Sequence, residues 1–285
     1  MATELPPQGE PDLDDPAVVQ ELEPMWDALD EGDFGAALQM AEDCVNTNPE
    51  SGAAWLGLAA ARYELGDVTG TREAAENSGQ FGVNEEPMRV WYLAATAHYE
   101  WDFPTARDEL DALLAREPDF AEAWYLLAQV SEMQDDDVMA RRGYARAHDI
   151  DPDRFTMPRR IDDEMIHAAV AQARGELPAE FRKLLDELAV TVRPVPDEAL
   201  ARNEDPDGDP VPPDVLGLFV GSAQLERSVF DVGAQPGIIF LFQKNLERIC
   251  TDEDALIEEI HVTLWHELAH YLGFEEEDMP DLGLE

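Results

Sequence analysis

Four aspartates at an even spacing constrain the fold of this chain more than any other feature. Asp33, Asp67, Asp102 and Asp136 follow one another at intervals of 34, 35 and 34 residues. Pro49, Pro118 and Pro152 recur around them at matching places, as do Trp55 and Trp124, and Trp91 lies one place later in its unit. Such a period is typical of stacked helix-turn-helix units, because one helix pair cannot bury its apolar stripe alone and needs a neighbouring pair.

The pattern resembles the tetratricopeptide repeat, a helix-turn-helix of 34 residues. The resemblance implies an all-α superhelical repeat domain over residues 17–154, built from four units at 18–51, 52–86, 87–120 and 121–154. Six residues share two repeat positions and are predicted to form the core: Leu58, Leu93 and Leu127, and Ala59, Ala94 and Ala128. Residues 1–16 are rich in Pro, Glu and Asp and are expected to be disordered.

The inner groove of such a superhelix is the surface on which a partner would bind. The residues predicted to line it are Leu22, Trp26, Leu56, Tyr63, Trp91, His98, Tyr125 and Glu132. They are mainly apolar and aromatic, whereas repeat domains that clamp a C-terminal carboxylate need Lys and Arg there. We expect a protein or an apolar peptide, or part of this chain, to bind in this groove. The alternative is that these side chains mostly pack between neighbouring repeats.

The charge of the chain excludes two classes of partner. The chain has 64 acidic and 19 basic residues, a net charge of -45. Such a surface repels nucleic acid and anionic membranes, so neither is expected to bind. Lys183 and Lys244 are the only lysines. Acid excess with few lysines is typical of proteins adapted to high salt, although an ordinary acidic, soluble protein is equally compatible.

Cysteine usage and the N-terminus predict a cytoplasmic protein. Cys44 and Cys250 lie far apart, which argues against a disulfide framework and suits a reducing compartment. No apolar run has the length of a transmembrane helix, and the first residues lack the pattern of a secretory signal. No pattern in the sequence indicates an oligomeric state.

The second half of the chain has a different composition. Residues 155–160 break the repeat and are predicted to be a linker to a domain at 161–285. Helices are predicted at 161–175 and 178–188, strands at 189–192, 215–220 and 237–242, and a solvated loop at 195–214. A last helix is predicted to begin at Thr251 or Asp252 and to end near Gly273.

That last helix carries the pattern His266-Glu267-Leu268-Ala269-His270, which is typical of zinc metallopeptidases. Positions i and i+4 lie on one helix face, so His266 and His270 can both direct a ring nitrogen at one Zn²⁺. Glu267 is placed to hold a water on that ion and to accept its proton, which makes it the candidate catalytic base.

Gly273 would allow the chain to turn back and supply a third metal ligand. The residue at the spacing used by metzincin peptidases is Glu276, where those enzymes carry His or Asp. Asp278 and Glu277 are alternative ligands. His261 lies about 140° from His266 around the helix and is not expected to reach the ion.

Residues 161–285 resemble the minimal zincin-like metallopeptidase family of bacteria. The resemblance rests on segments 177–181, 216–221, 238–242 and 258–260, on the His266–His270 pattern, and on Gly273 with 276–278. It implies a small α+β domain with a short mixed sheet and a zinc site, usually with Asp where this chain has Glu276. Proteolytic activity is poorly established across that family. Met279 is expected to be a packing residue.

These patterns together predict a zinc-dependent metallopeptidase, a hydrolase whose helical repeats recruit a protein substrate or partner. An alternative is an interaction scaffold that binds metal through its zincin-like half and cuts nothing. A hydrolase acting on a non-peptide amide is a third reading.

Overall fold

The computed structural model describes residues 16–83, 86–202, 211–221, 237–274 and 278–279. Contacts divide the chain into two compact units, one ending at Asp151 and the next beginning at Pro152. The predicted domain limits (17–154, 155–160 and 161–285) stay predictions. The N-terminal segment predicted to be disordered lies outside the described residues, except for Pro16, which opens the first helix.

The described part of the first unit consists of helices that follow one another in pairs, as the repeat spacing predicts. Their bounds are α1 Pro16–Asp30, α2 Phe34–Thr47, α3 Gly52–Glu64, α4 Val68–Gln80, α5 Pro87–Tyr99, α6 Phe103–Arg116, α7 Ala121–Met133 and α8 Asp137–Ile150. Each pair coincides with one predicted unit, which confirms the all-α repeat architecture.

The four evenly spaced aspartates owe their positions to helix capping. Each one precedes the second helix of its pair, and its carboxylate accepts a hydrogen bond of 2.8–3.2 Å from the backbone N–H three residues later. Each also follows a residue with positive φ that reverses the chain between the helices: Gly32, Gly66, Trp101 and Asp135. The repeat is therefore a left-handed turn residue followed by a capping aspartate.

Small side chains let the helices of a pair approach closely. Of the six predicted core residues, five are buried and Leu93 is half-buried. Gly143 of α8 shows how tight the packing is, because a Cβ there would lie 2.7 Å from the Trp124 carbonyl oxygen and 2.9 Å from the Ala128 Cβ. Apolar burial at these small residues is what holds successive helices together.

The eight predicted groove residues are largely used in packing. Leu22, His98 and Glu132 are buried, whereas Trp26 is 41% exposed. The remaining four are half-buried, and they include Tyr63, whose ring stands edge-on to that of Trp91 at 5.0 Å. The Glu132 carboxylate accepts a hydrogen bond of 2.8 Å from the Tyr144 hydroxyl. Trp26 is thus the groove residue that offers a partner the most surface.

The described residues of the second unit include a three-stranded mixed sheet with helices around it. Its elements are α9 Asp163–Glu176, α10 Ala179–Leu185, β1 Ala189–Arg193, α11 Glu198–Ala201, β2 Gly217–Val220, β3 Ile238–Phe242, α12 Gln243–Ile249 and α13 Glu253–Leu272. The strand order is β1-β3-β2, with β1 parallel and β2 antiparallel to β3. The short mixed sheet is confirmed.

Strand β3 lies between β1 and β2, and its side chains are apolar on both faces. On one face Ile239 and Leu241 share a core with the buried stripe of α13, which steps by four residues through Leu256, Ile260, Leu264 and Leu268. On the other face Phe240 and Phe242 pack with Leu218. The sheet therefore presents one of its faces to the helix that carries the two histidines.

Two short helices were not predicted. Helix α11 lies within the predicted loop 195–214, where the Asp197 carboxylate caps it through the Leu200 N–H. Helix α12 follows β3 without a break and begins without a side-chain cap. Its buried Glu247 accepts hydrogen bonds from the Ile161 N–H and the Arg160 guanidinium, at 3.0 and 2.7 Å. These bonds hold the end of the predicted linker against the second unit.

The capping role of the repeated aspartates predicts a loss of stability on removal. We expect Asp33→Ala to lower the free energy of unfolding by about 1 kcal/mol, because the Ala36 N–H loses its acceptor. Urea unfolding of the full chain, followed by circular dichroism, measures the change. The exposed Glu23 of α1 provides the charge-matched control, and Glu23→Ala should stay within about 0.5 kcal/mol of wild type. Equal losses in both variants would contradict the capping role.

Candidate metal centre

Helix α13 begins and ends where its sequence signals place the boundaries. The Asp252 carboxylate caps its first turn through the Ala255 N–H at 2.9 Å, and Glu253 and Asp254 lie near the positive end of the helix dipole. The helix ends at Gly273, whose φ of 93° lies in the left-handed region. The two motif histidines therefore occupy its last turns.

His266 and His270 converge on one point. Both side chains are half-buried, and their Nε2 atoms lie 3.1 Å apart. Two nitrogens that bind one tetrahedral zinc at 2.0–2.1 Å lie about 3.3 Å from each other. The spacing and the imidazole chemistry of this pair thus suit two ligands of a single zinc ion.

The turn after α13 orients the second histidine. Because Gly273 adopts a left-handed conformation, the Phe274 N–H reaches the Ala269 carbonyl at 3.1 Å. The Phe274 carbonyl in turn lies 3.1 Å from Nδ1 of His270. A carbonyl only accepts, so Nδ1 donates and Nε2 of His270 keeps its lone pair for a metal.

Glu267 lies on the side of α13 that faces strand β2. It is 6% exposed, and its Oε2 accepts a hydrogen bond of 2.6 Å from the Phe219 N–H. The Phe219 ring stands edge-on to Tyr271, one helical turn further on, at 5.6 Å. The carboxylate is therefore held by the sheet, next to the two histidines in the sequence of the helix.

The third ligand stays a prediction. Glu276 and Glu277 lie outside the described residues, and Asp278 is described and exposed. Across the described ranges, no group of three His, Cys, Asp or Glu side chains is arranged to hold one metal ion. Met279 is 2% exposed and packs with Ala269 and Trp265, which confirms its packing role and brings the chain back onto the helix.

Burial and acidic neighbours keep Cys250, which precedes the other end of α13, protonated. Burial, and then the charges of Glu259 and Asp252, raises the pKa of the Cys250 thiol to about 11. Burial also raises the pKa of Glu259, with a smaller contribution from Glu258. Cys250 is a buried free thiol at neutral pH, and it lacks the thiolate character that a metal ligand or nucleophile needs.

Sequence reasoning missed two contacts of this centre, both made by backbone groups. The Phe219 N–H and the Phe274 carbonyl carry no residue-type signature. The contact of the Phe219 N–H had a weak signal in Gly217, because a glycine within an apolar strand often marks the close approach of another element. Gly273 was the signal for the second.

The left-handed turn at Gly273 leads to a prediction about the metal affinity of a variant in which this glycine is replaced. We expect Gly273→Ala to weaken zinc binding by about tenfold or more, because a Cβ disfavours the left-handed turn that brings the Phe274 carbonyl to His270. Competition with a chromogenic zinc chelator measures the affinity. Gly273→Asn is the matched control, since Asn tolerates this conformation and should retain most of the affinity. Wild-type affinity in Gly273→Ala would contradict the role of the turn.

Comparisons with known proteins agree with this architecture. Models of the tetratricopeptide repeat match residues 28–74 and 102–154, and the model of the zincin-like metallopeptidase family matches residues 185–284. Among solved structures, a crystal structure of MamA protein aligns with a TM-score of 0.40 and 16% identity over 55% of this chain and 79% of that chain. That likeness is too weak to bear on fold or function.

A search of curated proteins found none that matches the chain. None of the described helices is both long and apolar enough to cross a membrane. The two repeat matches lie in the first compact unit apart from their last three residues. The zincin-like match lies in the second unit, beginning at the end of α10 and continuing past α13. Segments of the chain therefore match the tetratricopeptide repeat and, C-terminal to it, the zincin-like metallopeptidase family.

Proposed function

We propose that this protein is a zinc-dependent metallopeptidase whose helical repeats recruit a protein substrate or partner. The observation that carries the proposal is the convergence of the His266 and His270 Nε2 atoms to 3.1 Å, beside a buried glutamate on the same helix. The match to the zincin-like family supports it, because that family generally uses zinc.

The metal would be held by Nε2 of His266 and Nε2 of His270, with Glu276 as third ligand or Asp278 in its place. A bound zinc supplies Lewis acidity, which polarises a scissile carbonyl and lowers the pKa of a coordinated water to about 7. The Phe274 carbonyl fixes the tautomer of His270 that makes its Nε2 a ligand.

Glu267 is the proposed general base. Its Oε2 accepts the Phe219 N–H, and a carboxylate has further lone pairs that can accept a proton from water and pass it to the leaving amine. Its burial limits competing contacts with bulk water. The role needs a carboxylate, because the amide of glutamine cannot accept the proton.

Strand β2 offers a place for an extended peptide. It is the last strand in the order β1-β3-β2, with no further strand beside it among the described residues. The Leu216 carbonyl accepts from the Phe242 N–H, so Leu216 faces β3, and alternation turns the backbone groups of residues 217 and 219 outward. Glu267 already accepts the Phe219 N–H, so a substrate could pair by strand addition only with the rest of this edge.

The repeat unit supplies the proposed recruiting surface. Trp26 is its most exposed groove residue, and the acidic chain disfavours nucleic acid as the recruited molecule. A protein or peptide is the partner class that suits this surface. The buried free cysteines Cys44 and Cys250 suit a reducing compartment, and we place the protein in the cytoplasm.

Zinc analysis and a peptide-library screen test the proposal together. We expect about one zinc per chain in wild type, and loss of zinc in His266→Ala and in His270→Ala. His261→Ala is the matched control, because His261 lies on the same helix outside the proposed ligand set and its loss should leave the zinc content unchanged.

Glu267→Gln separates the enzyme from a metal-binding scaffold. It should keep its zinc and lose hydrolysis of denatured protein or peptide libraries by about a hundredfold or more. If wild type and Glu267→Gln behave alike while both retain zinc, the protein is a scaffold. Absence of bound zinc in wild type would exclude both readings.

A further inference from the structure

Strand β2 runs alongside α13, with Glu267 between two of its residues. The Phe219 N–H donates a hydrogen bond of 2.6 Å to the Glu267 carboxylate, and the Phe219 ring contacts Tyr271. Two residues earlier, Gly217 lies over Thr263 and Glu267. A step of two strand residues thus matches a step of one helical turn, which places the glutamate in register with the strand edge.

The donor is an amide that the sheet itself does not use. Leu216 faces β3, since its carbonyl accepts from the Phe242 N–H at 2.9 Å. Backbone direction alternates along a strand, so the Val220 N–H also faces β3, whereas the Phe219 N–H points to the outer edge. The Glu267 carboxylate fills the position that a further strand would take at Phe219.

Gly217 is a glycine because of the space it leaves. A Cβ at this position would lie 2.5 Å from Cγ2 of Thr263, and 3.2 Å from both Cγ and Oε1 of Glu267. Its φ lies outside the left-handed region, so the backbone conformation does not require glycine here. The requirement is for close approach of the strand to the helix.

We infer that strand β2 is the positioning element for Glu267, through the Phe219 N–H that fixes one carboxylate oxygen and the missing side chain at Gly217 that leaves room for the other. The inference rests on the proposed function, because it gives the candidate base its orientation. Phe219 and Gly217 are positioning residues and contact neither metal nor substrate in this role. If these contacts only stabilised the fold, the orientation of the Glu267 carboxylate would not depend on the space at Gly217.

Amide hydrogen exchange in the full-length, metal-free protein tests the hydrogen bond without any substrate. We expect Glu267→Ala to speed exchange of the Phe219 amide by about tenfold or more relative to the Val220 amide, whose N–H pairs with β3. The Val220 amide corrects for general loosening of the sheet. Glu267→Gln should keep the Phe219 exchange near wild type, because its side-chain carbonyl can still accept the bond.

A second pair of variants tests the space at Gly217. Gly217→Ala should speed Phe219 exchange and slow hydrolysis by about a hundredfold while keeping one zinc, because the histidines are untouched. Adding Thr263→Ser removes the Cγ2 atom that the new methyl would meet, and should restore most of both properties. Thr263→Ser alone is the control for the loss of that methyl group.

The results of the exchange and Gly217 experiments can be separated from the results that test the proposed function. An unchanged exchange rate of the Phe219 amide in Glu267→Ala would overturn the inference. It would not bear on the proposal that the histidines bind zinc. Wild-type hydrolysis in Gly217→Ala, or no recovery of Phe219 exchange on adding Thr263→Ser, overturns it as well. If wild type binds no zinc and cuts nothing, the proposed function fails, and the exchange data still decide whether β2 holds Glu267.

Discussion

The packing of the α13 stripe on the inner face of β3 determines the geometry of the candidate centre. Leu264 and Leu268 are fully buried in that core, which fixes the rotation of the helix about its axis. At about 100° per residue, Glu267 then lies about 60° from His270, on the flank next to β2, and the histidines lie further from the core. A helix rotated by one residue would bury the ligands and lose the Phe219 hydrogen bond.

Buried carboxylates recur in this fold, and each has its donors. Glu132 takes the Tyr144 hydroxyl, Glu247 takes the Ile161 N–H and Arg160, and Glu267 takes the Phe219 N–H. Burying a carboxyl group is costly unless hydrogen-bond donors meet it, so these donors are needed for the burial of the three side chains. Glu132 and Glu247 fasten helices and a connecting segment. Glu267 differs because its donor is an edge amide and its sequence neighbour His266 belongs to a converging imidazole pair.

Much of the fold and of the candidate centre could be predicted because the sequence signals for them are local. Capping aspartates recur wherever a helix must begin, and the i, i+4 histidines together with Gly273 define one helix end. What the sequence could not show depends on distant or backbone groups. Glu247 meets Ile161 across 86 residues, and Phe219 contributes only its N–H. Helix α12 starts without a capping side chain, and Trp101 and Asp135 adopt positive φ where glycine is the usual residue.

The central claim is that Nε2 of His266 and of His270 bind one zinc ion. Zinc K-edge X-ray absorption of the zinc-loaded full chain tests it most directly, because imidazole ligands give a distinctive outer-shell scattering. The account predicts a first shell of two imidazole nitrogens and oxygen ligands at about 2.0–2.2 Å from the zinc. A sulfur shell at about 2.3 Å, or a first shell without imidazole, would contradict it.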